Sequence, residues 1–302
     1  MSKILIADKL SKSAVEQLKK ISQFEVDVKE GLNEDQLCEV IAPYHAVVVR
    51  SATKITKKII GASQNLKIAI RAGIGLDNID QVAAKEKGVK VMNTPAATSI
   101  SVAELTVGLM FSLARKLSVA DASMKAHKWE KKAFEGTELY GKTAGIIGFG
   151  RIGQEVAKRE LALGMKVYAF DIIKPQVDLP VEQVDLQTLL TNADYISLHL
   201  PLNDSTRNLI SDKEFEIMKN GVRIVNVARG CVVNEAALLK ALQSGKVASA
   251  AVDVFEKEPP VDFSLVDHPN VLATPHIGAS AHEGQERAGL EVVNLLKNFF
   301  NV

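Results

Sequence analysis

Four short stretches in the second half of the chain carry polar groups able to do chemistry together. "SLHLP" holds His199, "NVARG" holds Arg229, "AAVDVFEKEPP" holds Asp253, Glu256 and Glu258, and "TPHIGAS" holds His276. Each lies at the end of a short apolar run that reads as a buried strand, and in open parallel sheets ligands bind beyond those ends. An imidazole there can move a proton near neutral pH. An arginine there suits a carboxylate or phosphate, because its planar fork takes two oxygens at once. Small residues around His276 leave room for a ligand, whereas leucines flank His199. A plainer reading stands beside each: a satisfied histidine, a surface arginine, loop carboxylates that only solubilise. The residues alone do not choose between Glu256 and Glu258 as the partner of an imidazole.

A second motif is more self-contained. In "GIIGFGRIGQEVAKRELALGMKVYAFD" the glycines Gly148, Gly150 and Gly153 form G-x-G-x-x-G between a strand-like run and a helical pattern, and the next strand ends in Asp171. Gly148 suits a tight turn, Gly150 a close approach of pyrophosphate to backbone, and Gly153 close packing of helix on strand. The helix N-terminus offers free N–H groups and a favourable dipole for phosphate. Ribose hydroxyls would donate to Asp171, which would repel a 2′-phosphate. The motif therefore predicts a dinucleotide, NAD in preference to NADP, with Lys174 as a nearby opposing charge.

These residues need a frame, and the chain's patterning supplies one. "KILIAD", "FEVDV", "AVVVRS", "LKIAIRAG" and "VKVMNTP" are strand-like and alternate with helical segments. After a long helical stretch from about Ser99 to Lys116 the alternation restarts with "KTAGIIGFG", "KVYAFD", "ADYISLHLP", "GVRIVNVARG", "ASAAVDVF" and "NVLATPH". Such alternation predicts an α/β protein with parallel sheets covered by helices on both faces. A last helix, from about Ala281 to Phe300, would return to the first unit and make it discontinuous. At 302 residues two domains are the default.

Composition excludes several classes. With 37 basic and 36 acidic residues, nothing points to nucleic acid or an anionic membrane as partner. No apolar run approaches the roughly 20 residues needed to span a bilayer. "MSKILIADKL" reads as a strand and not as a signal peptide, so a soluble cytosolic (cytoplasmic) protein is expected. Cys38 and Cys231 lack metal-type spacing, which predicts buried free thiols and no metal.

Taken together, "GIIGFGRIG", "NVARG", "DVFEKEP" and "TPHIGAS" resemble the D-isomer-specific 2-hydroxyacid dehydrogenases. "VRSATKIT", "RAGIGLDNID", "VMNTPAATSISVAELTVGLM" and "ASMKAHKWEKKAFEGTEL" resemble the branch acting on phosphorylated 2-hydroxy acids. The resemblance implies a Rossmann NAD-binding domain at 98–280 and a discontinuous flavodoxin-like substrate domain from 1–97 and 281–302. It also implies a homodimer joined through the nucleotide-binding domains, with the segment from Ser99 to Leu139 as the contact.

Residue by residue, the resemblance implies Arg229, Glu258 and His276 as the catalytic set, with Glu258 as partner of the histidine. Asp253 falls near the nicotinamide. Cofactor contacts carry over to Gly148, Gly150, Arg151, Ile152, Gly153, Asp171, Leu200, Val227, Ala228, His276, Gly278, Ala279 and Ile74. His199, beside Leu200, keeps a structural role and Glu256 that of a solvated loop charge. The substrate's phosphate and carboxylate fall to Arg50, Ser51, Arg71, Gly73 and Arg229, with Lys131 and Lys132 donated by a partner subunit. Ile74 departs from the threonine or valine frequent in relatives. Longer relatives continue into serine-binding regulatory domains, so with the sequence ending at Val302 no serine feedback through such a domain is expected.

Overall fold

The structure is a computed structural model describing all 302 residues. The chain begins with β1 (Ser2–Ile6), α1 (Lys12–Lys19), β2 (Phe24–Val28), α2 (Glu34–Val40), β3 (Ala46–Val49), α3 (Lys57–Ala62), β4 (Ile68–Arg71), α4 (Gln81–Glu86) and β5 (Lys90–Asn93). Two helices follow, α5 (Ser99–Arg115) and α6 (Leu117–Lys125), then a 3-10 turn at Lys131–Phe134. The alternation resumes with β6 (Thr143–Ile147), α7 (Arg151–Ala162), β7 (Lys166–Phe170), β8 (Glu182–Gln183), α8 (Leu186–Asn192) and β9 (Tyr195–Leu198). It ends with α9 (Asp212–Ile217), β10 (Val222–Asn226), α10 (Glu235–Gln243), β11 (Val247–Val252), β12 (Val271–Ala273) and α11 (His282–Phe300). The chain divides into two compact units, Met1–Ser99 with Ala279–Val302, and Ile100–Gly278.

In the first unit a parallel sheet runs β2-β1-β3-β4-β5, the doubly wound order of flavodoxin-like folds. Its strands are apolar on both faces because both are covered. Ile4, Ile6, Ala46, Val48, Ile68 and Ile70 pack with Leu18 of α1 and Ala288, Val292 and Leu296 of α11. The intervening Leu5, Val47, Val49 and Ala69 pack with Leu37, Ile59, Ile60 and Ala83 of α2, α3 and α4. The last helix thus completes a layer begun by the first.

In the second unit seven parallel strands run β12-β11-β10-β9-β6-β7-β8. The chain winds outward from β6 through β7 and β8, then returns to β9 and winds the other way. The reversal between β6 and β9 is the switch point at which Rossmann folds bind ligands. Here too alternate residues serve two cores, Ile147, Ile196, Ile224 and Val252 on one face and Ile146, Tyr195, Val225 and Ala251 on the other.

Helix starts follow local chemistry. Ser11, Asn33, Thr56 and Asp80 cap α1 to α4, and Asp185 and Asn234 cap α8 and α10, each side chain accepting an otherwise orphaned N–H. No helix is long and apolar enough to cross a membrane. Both cysteines are free, but the expectation of burial is corrected: each is only half-buried. Cys231 stands on the loop after Arg229, with φ at 60°.

Candidate active site

The glycine turn leaves a helix end open. α7 starts at Gly150 with no side-chain cap, unlike the helices above. Gly148 has φ at 95°, and a methyl group there would collide with the His199 carbonyl; one on Gly153 would collide with the carbonyl of Gly148. Asp171, just beyond β7, accepts from the Phe149 N–H at 2.7 Å and the Ile173 N–H at 3.1 Å. It is thereby tied to the turn. Arg151 is exposed and Ile152 half-buried at the helix start, and Leu200 is half-buried beyond β9. Free helical N–H groups, a backbone stripped of side chains and a carboxylate at the next strand end fit a dinucleotide.

The histidine turn is held by a buried carboxylate. Asp253, 1% exposed at the end of β11, accepts from the Thr274 hydroxyl at 2.6 Å, the Ile277 N–H at 2.8 Å and the Gly278 N–H at 2.8 Å. These donors flank His276, whose φ of 52° is left-handed and would not persist without such anchors. Nδ1 of His276 lies 2.7 Å from Oε2 of Glu258, with both side chains open to solvent at 41% and 38%. The Phe255 N–H donates to the other oxygen of Glu258 at 3.2 Å. Burial pushes the Glu258 carboxyl up. The hydrogen bond and charge of His276, the Phe255 N–H and the charge of Arg229 outweigh it, holding Glu258 below the usual range.

The arginine stands on a loop built by its own strand. Asn226, buried at the end of β10, accepts from the Ala228 N–H and donates to the Arg229 carbonyl, both at 3.2 Å. Val227 and Ala228 are buried and Arg229 is half-exposed. Gly230 packs so closely on the Phe255 carbonyl that no side chain would fit, joining this loop to the one bearing Glu258. Glu256 is exposed, as expected, but it is not an idle charge. The Glu235 N–H donates to it at 3.1 Å and its own N–H donates to Glu235 at 2.6 Å, fastening the loop to the start of α10.

His199 is set apart. Its Nε2 lies 3.0 Å from the Ser197 hydroxyl, while Nδ1 is shielded from solvent and has no partner. Burial pushes its pKa down to about 3, so it is neutral at physiological pH and poorly suited to hold a proton. The remaining sequence candidates divide between the units. Arg50, Ser51, Arg71, Gly73, Ile74 and Ala279 belong to the first unit; Gly278, Lys131 and Lys132 belong to the second. Arg71 pairs with Asp77 at 3.4 Å, Arg50 reaches the Lys9 carbonyl at 3.4 Å, and both lysines are exposed on the 3-10 turn. The anchoring by Asn226, Glu235 and Glu256 escaped the sequence reading. Only the placement of Asn226 beside Arg229 in "NVARG" hinted at it. No group of three or more His, Cys, Asp or Glu side chains could hold a metal ion.

The second unit thus joins an uncapped dinucleotide-type turn to an imidazole with one nitrogen on a carboxylate and an arginine close by. Residues 107–278 match the family described as D-isomer specific 2-hydroxyacid dehydrogenase, NAD binding domain. The chain belongs to this family of NAD-dependent oxidoreductases. It is 54% identical over 294 residues to hydroxypyruvate reductase of Thermotoga maritima, covering 96% of each chain. It is 48% identical over 298 residues to D-3-phosphoglycerate dehydrogenase of Rattus norvegicus, covering 97% of this chain but 55% of that one. The chain therefore spans about half the length of the rat protein. Among solved structures, a glyoxylate reductase from Paecilomyes thermophila superposes with a TM-score of 0.88 at 35% identity, covering 98% and 94% of the two chains.

Proposed function

We propose that this dehydrogenase oxidises D-3-phosphoglycerate to 3-phosphohydroxypyruvate, the first step of phosphorylated L-serine biosynthesis. The observation that carries the chemistry is the 2.7 Å contact between His276 Nδ1 and Glu258. With Nδ1–H donated to the carboxylate, Nε2 bears the lone pair that takes the proton of the C2 hydroxyl. As that proton leaves, the C2–O bond becomes a carbonyl and the C2 hydrogen departs with its electron pair. The acceptor for that hydride would be NAD, held at the glycine turn before α7. Glu258 stabilises the imidazolium so formed, and Arg229 holds the substrate carboxylate and polarises the C2 oxygen. Asp253 keeps the His276 turn in place. Gly148, Gly150, Arg151, Ile152, Gly153, Asp171, Leu200, Val227, Ala228 and Gly278 would form the cofactor's surroundings in this reading.

The phosphorylated substrate is supported by cations in the resemblance-bearing segments: Arg50 with Ser51, Arg71 with Gly73, and the exposed pair Lys131 and Lys132. The unit formed by 1–99 and 279–302 serves as the substrate-binding domain. A homodimer would bring the lysines of one copy to the other, and apolar exposure supports one. Of 17 exposed large hydrophobic residues, seven (Ile100, Phe111, Leu117, Val119, Met124, Trp129 and Tyr140) fall between Ile100 and Tyr140. A second reading, reduction of unphosphorylated hydroxypyruvate, is favoured by the likeness to the Thermotoga protein. The deciding experiment is NADH oxidation with 3-phosphohydroxypyruvate, hydroxypyruvate and glyoxylate in parallel. A higher kcat/KM for the phosphorylated acid is expected; a higher value for either other acid replaces the first reading with the second.

A further inference from the structure

The loop from β3 to α3 opens with Arg50, Ser51, Ala52 and Thr53 and is gripped from two sides. On one side stands Asp8, just past β1 and 7% exposed. Its carboxylate accepts from the Arg50 N–H at 2.6 Å, the Thr53 N–H at 3.1 Å and the Thr53 hydroxyl at 2.6 Å. On the other side, the Asn78 amide donates to the carbonyls of both Arg50 and Thr53 at 2.7 Å. The amide oxygen of Asn78 is buried without a partner, so the side chain's hydrogen bonds all go to this loop. Pairing of Ile55 with Asn78 and Asp80, both at 2.8 Å, keeps Asn78 in register with it.

A buried carboxylate is tolerated where donors satisfy it, and here one loop supplies them all. Both ends of the loop are fixed while Ser51 and Ala52 between them are exposed and their N–H groups take no part in the grip. A loop fixed at both ends, with exposed residues beside a guanidinium, suits an oxyanion. We propose that Asp8 and Asn78 are positioning residues for the substrate's anionic group, holding Arg50–Thr53 in the shape that receives phosphate or carboxylate oxygens. This rests on the assignment of Arg50 and Ser51 to the substrate made above.

The test uses the full-length protein carrying Asn78→Ala, Asp8→Asn, Thr53→Ala or Thr53→Ser. KM and kcat are measured with 3-phosphohydroxypyruvate and hydroxypyruvate, and NADH affinity by fluorescence. Asn78→Ala and Asp8→Asn should raise KM about tenfold, with kcat within about threefold and NADH affinity unchanged, because the loop shapes substrate binding only. Thr53→Ala should raise KM less, and Thr53→Ser should rescue it by restoring the hydroxyl on Asp8. The KM change is read on whichever acid the wild type prefers. A preference for the unphosphorylated acid therefore overturns the phosphoglycerate reading while leaving this one intact. Unchanged KM in a folded Asn78→Ala protein, or an equal loss of NADH affinity, overturns the positioning role. Should Asp8→Asn fail to fold, the Asn78 and Thr53 variants decide in the same way.

Discussion

Histidine and glutamate occur in this molecule in two opposite settings. His276 and Glu258 face solvent and each other at 2.7 Å, and their pairing holds the Glu258 carboxyl down. His199 and Glu160 have no such partner. Both carboxyl oxygens of Glu160 and Nδ1 of His199 are shielded from water without a hydrogen bond. Burial drives Glu160 up to about 8 and His199 down to about 3, so both are neutral at pH 7. The same two functional groups become a proton-handling pair in one place and inert filler in the other. Partnership and access to water make the difference, since residue type is identical.

The sharpest way to break this contrast is at His276. Replacement by Asn should lower kcat roughly 10²–10⁴-fold, the range for loss of a positioned general base. The protein should keep its fold, since the His276 ring is solvent-facing. Steady-state turnover within tenfold of wild type would remove His276 from the chemistry. Glu258→Gln comes next. A neutral amide still accepts a hydrogen bond but no longer stabilises an imidazolium, so kcat should fall about 10- to 100-fold. The pH profile for alcohol oxidation should change as well, because the carboxylate that faces the imidazole at 2.7 Å is gone. Glu256→Gln is the control. Its oxygen can still accept from the Glu235 N–H, so a pH profile that shifted as much as that of Glu258→Gln would put the wrong carboxylate on His276.

The frame around these residues was readable because its rules are local. Strands covered on both faces read as apolar runs, as "ILI" and "AVVV" do, and the glycine turn with Asp171 repeats a fixed spacing. β8, two polar residues long, carried no such pattern and escaped notice. The choice between Glu256 and Glu258 was open in the residues alone, because it depends on which way a loop turns; in the fold Glu258 meets His276 and Glu256 meets Glu235. Anchors such as Asp253 to Gly278 or Asp8 to Thr53 join residues far apart in the chain, and no periodicity encodes them. Glu160 did leave a trace. Gly153, Val156, Ala157 and Glu160 are the buried residues of α7, spaced as one helical face, so a carboxyl was visible on the buried stripe.

The buried pair offers the smaller effects, and their signs oppose. Glu160 has a folded pKa raised to about 8, so the unfolded chain ionises first and stability is lost as pH rises from about 4.5 toward 8. Glu160→Met, close in volume, should therefore stabilise by roughly 3 kcal/mol at pH 7 and by less than about 1 kcal/mol near pH 5. Thermal unfolding at the two pH values tests this, and an equal gain at both would mean that Glu160 is not buried as a neutral acid. His199, depressed to about 3, works the other way: the unfolded chain takes up its proton below about 6.5 and the folded one does not. Stability from this group is lost as pH falls from about 6.5 toward 3. His199→Gln should gain about 1 kcal/mol at pH 5.5 over its effect at pH 7.5, with turnover within about threefold of wild type. A loss of turnover as deep as that of His276→Asn would abolish the distinction between the two histidines. A pH-independent effect on stability would show instead that the His199 ring exchanges protons with solvent in the folded state. Between the two limbs, from about pH 4.5 to 6.5, each buried group offsets the other's slope, so the double variant should flatten the pH dependence on both sides of that window.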